Sequence, residues 1–402
     1  MAREDILVGL EIGTSKVCAV VAEARRDSTM KILGVGVAQS CGVRKGEIVD
    51  FDTAGKCVRE ALADAEEKSD VEIHQVFLSV TGSHIKSFNK RGAIDISPDQ
   101  EEIRYADLEE VRTVAGEVSL PQANTFVHTL LQHYYIDGQD GVLNPEGMMG
   151  SKLEADYHIV HGVRTRIQNN IRCVRELNIG VDDVVFAPVA AAEVIIDPSQ
   201  RELGGLVIDL GGGTTGYSVF TEGAIKRSGC IAVGGDHVTN DISLGLRLPM
   251  ARAERLKVEE GGVLFDGSED VPYITLKDEA GFVGCEVERE HLNNIIYCRL
   301  RETFELVKRD LDEGRILSYL GAGVMLTGGG SLIRGIDQLA SEVFGLPVRL
   351  TRPETVSGIT SHFEDPTLST AIGVTKYAQS VHAPKQEGWL KSTLRRFKSF
   401  GG

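Results

Sequence analysis

The chain of 402 residues is long enough for two or more domains with substantial cores. Its net charge of −16 excludes bulk nucleic-acid binding. Hydrophobic residues at 42% and charged residues at 25% are ordinary for a globular protein. Strand-like residues begin almost at once, so no signal peptide is expected. No apolar run approaches the roughly 20 residues that span a bilayer. Cys18, Cys41, Cys57, Cys173, Cys230, Cys285 and Cys298 form no CxxC pair and no metal spacing, and read as reduced thiols.

In chain order, the first signal is Ile6-Leu7-Val8-Gly9-Leu10-Glu11-Ile12-Gly13-Thr14-Ser15-Lys16, an apolar strand ending in a glycine turn. Helical periodicity follows at Ala54, Val58, Leu62 and Ala65. Residues 85–162 read as an insertion. Strand-like Arg91–Ser97 leads to a helix near Asp107–Val118, for which Asp107 and Glu110 fit a capping box. Strands at Thr125–Ile136 and Leu153–His161 complete a small sheet carrying one helix. A helix beginning near Thr165 carries Ile167, Ile171, Val174 and Leu177 on one stripe. Small residues then run through Ala187-Pro188-Val189-Ala190-Ala191-Ala192-Glu193.

The second glycine turn closes Gly205-Leu206-Val207-Ile208-Asp209-Leu210-Gly211-Gly212-Gly213-Thr214-Thr215. Like the first, it sets a carboxylate on the strand and Gly-Thr in the turn. Glycine lets backbone approach a ligand closely, and successive N–H groups form an anion-binding concavity. Gly13, Thr14, Ser15 and Lys16 are therefore candidates for one side of a nucleotide's phosphates, and Gly212, Gly213, Thr214 and Thr215 for the other. Glu11 and Asp209 are candidates to hold a hydrated Mg²⁺, which favours carboxylates, water and phosphate. Two such hairpins facing each other would clamp a nucleotide triphosphate between two halves of the molecule.

Helices follow near Asp236–Leu246 and Pro249–Glu260. Glu254 and Lys257 share a helix face, and either bind a ribose or form a solvated pair. A strand at Tyr273–Leu276 precedes a long helix near Glu288–Leu311. There Leu292, Ile295, Ile296, Leu300, Phe304 and Val307 form the buried stripe, with Arg299, Arg301 and Glu302 largely outside it. The third glycine element is Val324-Met325-Leu326-Thr327-Gly328-Gly329-Gly330-Ser331, ahead of a helical pattern at Leu332, Ile333 and Ile336. Its bare backbone at Gly328, Gly329 and Gly330 suits a flat base such as adenine.

Residues 389–402 carry a separate signal. At about 100° per residue, Trp389, Leu390, Leu394, Phe397 and Phe400 fall within an arc of about 140°. Lys391, Arg395 and Lys398 cluster opposite, and Arg396 flanks the apolar arc. That is the pattern of a helix lying in a membrane interface. Four cations near an anionic leaflet contribute roughly 4 kcal/mol before ordering costs. A segment this short is barely helical in water and is expected to fold on binding. A helix docked on the body or on a partner protein remains the other reading. A linker of roughly nine residues, 380–388, reaches at most about 30 Å.

The two hairpins, the Glu254–Lys257 helix and the third glycine run, in this order, resemble the actin-like ATPase superfamily. Within it, Val233-Gly234-Gly235-Asp236-His237-Val238-Thr239-Asn240-Asp241-Ile242 with Gly245-Leu246-Arg247 resembles the FtsA family of bacterial cell-division proteins. So do Gly9–Thr14, Tyr135-Ile136-Asp137-Gly138-Gln139, Asn144-Pro145 and Gly147-Met148. The resemblance implies an α/β actin-like fold with two lobes around a nucleotide cleft. It implies subdomain 1A at 5–84 and 163–197, an inserted subdomain 1C at 85–162, subdomain 2A at 198–230 and 313–350, and subdomain 2B at 231–312. Residues 351–379 would return to 1A, and 389–402 would be the amphipathic membrane helix.

It further implies ATP and Mg²⁺ as ligands and the C-terminal tail of FtsZ as a partner of 2B, with Arg299, Arg301 and Glu302 the candidates on the long helix. Self-assembly through 1C, recruitment of later division proteins and a place on the cytoplasmic face of the membrane at the division site are also implied. Related chaperone ATPases carry a glutamate just before the proline that is Pro188 here. Ala187 stands there instead, so slow hydrolysis is expected. A pilus-assembly scaffold of the same superfamily, and an ATPase of chaperone or sugar-kinase type, are the alternatives. The first would not be expected to need a basic aromatic tail. A chaperone would need a further substrate domain.

Overall fold

The computed structural model describes residues 5–25, 29–100, 102–264, 272–278, 284–312, 315–353 and 365–382. The tail reading at 389–402 lies outside them.

Two five-stranded sheets have the same construction. In the first, β1 (Asp5–Ile12), β2 (Lys16–Ala24) and β3 (Met30–Gln39) form an antiparallel meander. After the short pair β4 (Val43–Arg44) and β5 (Glu47–Ile48) and helix α1 (Phe51–Ser69), β6 (Gln75–Val80) joins β1 in parallel. The second sheet repeats this with β12 (Gly205–Leu210), β13 (Thr215–Thr221), β14 (Ala224–Ile231) and, parallel to β12, β17 (Gly323–Thr327). The strand orders are β3-β2-β1-β6-β11 and β14-β13-β12-β17-β18, with β11 (Gly180–Phe186) and β18 (Val348–Leu350) the outer parallel strands. Each first hairpin thus lies at the centre of its own lobe.

The inserted sheet has the order β7-β10-β8-β9, from β7 (Lys86–Asp95), β8 (Asn124–Ile136), β9 (Gln139–Val142) and β10 (Lys152–Val163). Helix α2 (Tyr105–Gly116) covers one face, and its approach requires glycine at Gly92. A Cβ there would stand 2.3 Å from the Val111 carbonyl oxygen. Several boundaries differ from the sequence reading. Strand β7 begins five residues before Arg91, because β10 pairs with it from Lys86 onward. Asp107 sits inside the first turn of α2 instead of capping it. Its Oδ2 accepts the backbone N–H of Arg104 at 2.7 Å, which satisfies the donor from the far side. The triple glycine runs into a single 3₁₀ turn, Gly329–Leu332, before helix α9 (Ile336–Phe344).

The other face of the insertion braces the second lobe. Strand β14 is an edge strand, and side chains from the insertion satisfy its free carbonyls. Ser87 Oγ donates to Ser228 O at 2.6 Å, Asn89 Nδ2 to Lys226 O at 2.9 Å, and Gln132 Nε2 to Ile225 O at 2.5 Å. Buried His158 joins Asn89 Oδ1 to Ser228 Oγ, 2.8 Å on each side. Burial pushes its pKa down to about 3, so it is neutral there.

The remaining helices are α3 (Arg164–Arg175), α4 (Ala187–Ile195), α5 (Pro198–Leu203), α6 (Gly235–Leu246), α7 (Met250–Glu260), α8 (Arg289–Asp312) and α10 (Ser369–His382), with the strand pair β15 (Tyr273–Leu276) and β16 (Cys285–Glu288) before α8. One apolar cluster fills the first lobe and runs on into the second through Val207, Phe220 and Met325, and further clusters fill the second lobe and the insertion. Helices α4 and α10 pack with backbone nearly touching. A Cβ on Gly373 would lie 2.0 Å from Ala190 O. Helix α10 continues through His382, so residues 380–382, expected as linker, are helical. Residues 383–388 alone reach at most about 21 Å.

Candidate nucleotide cleft

The turns that end β1 and β12 close with the same bond. Gly13 N donates to Lys16 O, and Gly211 N donates to Thr214 O, each at 3.0 Å. The carboxylate stands two residues before the first glycine in both, Glu11 in one and Asp209 in the other. The two tips meet face to face. A Cβ on Gly212 would lie 2.8 Å from Ser15 Cβ, and one on Gly213 would lie 2.4 Å from Thr14 Oγ1. Only glycine at these positions allows the two loops to come this close.

Behind the tips lies a cavity of about 180 Å³. Glu11, Gly13, Thr14, Ser15 and Lys16 line it from the first lobe, and Asp209, Gly211, Gly212, Gly213 and Thr214 from the second. Gly328, Gly329, Thr81, Ala187 and Pro188 add to the wall, with Thr367 from the 3₁₀ turn before α10 and Thr370 from the first turn of α10. The sequence reading missed Thr81, Thr367 and Thr370. No glycine run or periodic pattern marks them, and chain reversal alone brings them in.

Four candidates do not line the cavity. Thr215 is fully buried, and its hydroxyl donates to Val233 O at 2.9 Å. Gly330 turns toward the protein, where a Cβ would meet Leu210 Cβ at 2.8 Å. Lys257 and Glu254 pair at 2.7 Å. Lys257 also donates to Thr239 Oγ1 at 2.9 Å and to Gly235 O at 3.3 Å, which ties α7 to the first turn of α6. That same turn receives the second hairpin, since Gly235 N donates to Gly211 O at 2.9 Å and Asp236 N to Gly212 O at 2.8 Å. The Glu254–Lys257 pair is thus one helix turn removed from the turn of the second hairpin.

The two carboxylates suit a hard cation. Glu11 Oε2 is buried and has no hydrogen-bond partner. Burial, with Asp209 adding and Lys16 opposing, pushes its pKa up to about 7. Burial also raises the pKa of Asp209, against the pull of the Thr370 hydroxyl, which donates to Oδ2 at 2.7 Å, and of Lys16. Among the described residues no group of three or more His, Cys, Asp or Glu side chains forms a metal site of its own. A pair of carboxylates completed by water and phosphate fits Mg²⁺.

Glu11 is expected to make affinity for the metal-bound nucleotide depend on pH. A carboxyl whose folded pKa is raised keeps its proton below about 7, and the metal binds the ionised form. Affinity should be about tenfold weaker at pH 6 than at pH 8, and Glu11→Gln should flatten the profile in a titration of binding. Stability of the unliganded chain should move the opposite way. The contribution of Glu11 is complete below its unfolded pKa and is lost as pH rises through about 7.

On α8, Arg299 Nε donates to Asp241 Oδ2 of α6 at 2.6 Å and pairs with Glu302. Arg301 points elsewhere, to Glu305 at 3.0 Å and Glu342 of α9 at 3.2 Å. Arg299 and Arg301 therefore do not form one cationic patch.

The comparisons with known proteins fit this geometry. The family description "Cell division protein FtsA" matches residues 206–373, and "SHS2 domain inserted in FTSA" matches residues 82–161. The cell division protein FtsA of Pseudomonas aeruginosa is 36% identical over 92% of this chain and 89% of its own length. The chain belongs to the FtsA family of cell-division proteins. The FtsA of Borreliella burgdorferi is 34% identical, covering 98% of this chain and 95% of its own, and that of Escherichia coli K12 is 33% identical, covering 94% and 91%. The fold is accordingly the two-lobed actin-like α/β fold with the inserted SHS2 subdomain of FtsA. Two solved structures share it at low identity. A PilM–PilN type IV pilus biogenesis complex gives a TM-score of 0.65 at 15% identity, covering 94% of this chain and 99% of that one. MreB5 of Spiroplasma citri bound to ADP gives 0.56 at 16% identity, covering 94% and 97%. Among the described residues no helix is long and apolar enough to cross a membrane.

Proposed function

We propose that this FtsA-family chain binds Mg²⁺·ATP between its lobes and tethers FtsZ filaments to the inner face of the cytoplasmic membrane. The observation that carries the nucleotide reading is the pair of equivalent hairpins meeting over one cavity into which two partly buried carboxylates, Glu11 and Asp209, face. Glu11 and Asp209 hold the metal through water, and the two turns with Lys16 hold the phosphates. Gly328 and Gly329 take the base; Glu254 and Lys257, which pair with each other outside the cavity, meet the ribose where the nucleotide reaches past the second hairpin to α7. Ala187 lines the cavity where related chaperone ATPases carry a glutamate, so hydrolysis is slow and the nucleotide acts mainly as a conformational and assembly ligand. The acidic tail of FtsZ meets the outer subdomain at Arg299, where it must displace Asp241 and Glu302 from the guanidinium.

Trp389, Leu390, Leu394, Phe397 and Phe400 insert in the membrane while Lys391, Arg395, Arg396 and Lys398 meet anionic headgroups. The protein assembles into filaments through the inserted subdomain and recruits later septum proteins. One weak anchor per subunit favours polymers, because linked anchors gain avidity without new contacts.

The test is recruitment of purified FtsZ to anionic liposomes with ATP, beside a chain ending at Gly388. The full chain should carry FtsZ into the lipid pellet, and the truncated chain should leave both proteins in solution. Lipid binding without FtsZ would favour a pilus-type scaffold, the reading in keeping with the fold shared with the PilM–PilN complex. No lipid binding by the full chain would mean that the tail docks on protein.

A further inference from the structure

Lys16 projects from the first hairpin into the cavity, but its ammonium is already held by protein. Nζ donates to the carbonyl oxygen of Thr367 and, at 2.9 Å, to the Thr367 hydroxyl. Both acceptors belong to the one-turn 3₁₀ segment Pro366–Leu368 that leads into α10. That turn is itself well formed. Asp365 Oδ1 accepts Thr367 N at 2.8 Å, and Gly328 N donates to Pro366 O at 3.2 Å. Thr367 therefore presents a carbonyl and a hydroxyl oxygen side by side to a cation, as two phosphate oxygens would.

We propose that Thr367 is a stand-in ligand for Lys16: its two oxygens compete with a bound phosphate for the same ammonium, so that nucleotide binding releases Lys16 from the turn at the head of α10. This rests on the nucleotide reading above and adds a residue that sets its affinity. The turn lies where such a release has consequences. It touches Lys16 on one lobe and Gly328 on the other. Two residues on, Ser369 Oγ lies 2.7 Å from Thr327 Oγ1, and Thr370 binds Asp209. Helix α10 beyond is rigidly seated. A Cβ on Gly9 would lie 2.8 Å from both Ala371 O and Thr375 Cγ2, and Ala371, Ile372, Val374 and Ala378 are fully buried. A change at Thr367 is thus felt at the joint between the lobes, at the head of the helix that precedes residues 383–402.

Competition makes a prediction of unusual sign. Most substitutions in a binding cleft weaken binding, but Thr367→Val removes one of the two competing oxygens and should tighten it. Isothermal titration with Mg²⁺·ATP and with inorganic pyrophosphate should show about 3- to 10-fold tighter binding to Thr367→Val than to the natural chain, the range of one net hydrogen bond. Thr367→Ser keeps the hydroxyl and should return to the natural affinity. Should the valine variant fail to fold, Thr367→Ala removes the same oxygen without the branched bulk. Unchanged or weaker binding by the valine or alanine variant would overturn the proposal, as would a serine variant that tightens equally. If the natural chain binds neither probe, the nucleotide reading fails and takes this proposal with it. If it binds both and the sign is wrong, only the role of Thr367 is lost.

Discussion

Asp209→Asn is expected to weaken Mg²⁺·ATP binding by roughly 10- to 100-fold, the usual effect of removing a group that holds a metal through its water shell. The same substitution should not destabilise the chain without nucleotide. Asp209 is half-buried, and the desolvation it suffers pushes its carboxyl toward the neutral form. Asparagine preserves the shape, and its side-chain oxygen can still accept from the Thr370 hydroxyl, now 2.7 Å from Oδ2. Removing a buried charge offsets part of the cost of its burial. Binding therefore falls while stability is kept, which separates a metal-holding carboxylate from one that merely completes the fold. The check is a melting curve without nucleotide beside titrations with ATP in Mg²⁺ and in EDTA. The loss should appear with Mg²⁺ and largely vanish in EDTA. A variant that melts lower and loses affinity equally in both would show Asp209 to be structural.

The contrast between what was legible in the sequence and what was not follows the same physical line. The strand ending at Glu11, the strand ending at Asp209 and the long helix α8 are local patterns. Apolar runs, glycine turns and a 3.6-residue period are written in consecutive residues, and α8 spans Arg289–Asp312 where periodicity predicts Glu288–Leu311. Strand boundaries depended on partners. Lys86–Lys90 extend β7 only because β10 lies alongside them. The site split in the same way. Gly13 to Lys16 and Gly211 to Thr214 announce their turns, whereas Thr370 reaches Asp209 across 161 positions of sequence. Thr215 reads like Thr214 in the sequence, yet it falls on the strand, faces inward and spends its hydroxyl on Val233. The equivalence of the two hairpins is written in the sequence, as a carboxylate on the strand and Gly-Thr in the turn, whereas the strand order that the two sheets share is not.

The third glycine run should divide under mutation although its residues are identical. Gly328 has φ 81° and ψ 168°, a region essentially reserved for glycine, and a Cβ there would meet Asp209 Oδ1 at 2.2 Å and Leu210 O at 2.7 Å. Gly328→Ala should therefore cost about 1–3 kcal/mol in backbone strain and a comparable amount in overpacking against β12. The expected result is a clearly lower melting temperature even without nucleotide. Gly329 is different. Its nearest neighbour to an added Cβ is Thr367 Cγ2 at an ordinary 3.6 Å, and it lines the cavity. Gly329→Ala should change stability by less than about 0.5 kcal/mol. If the base rests on this backbone, the new methyl stands where the base must lie. Binding should then fall by the cost of one misplaced methyl, about 1–3 kcal/mol or roughly 5- to 150-fold. Inorganic tripolyphosphate has no base to obstruct and should bind Gly329→Ala as it binds the natural chain. Equal losses for ATP and tripolyphosphate would place the methyl against the phosphates. No loss for either would remove Gly329 from the base-binding surface and place the adenine elsewhere along the cleft.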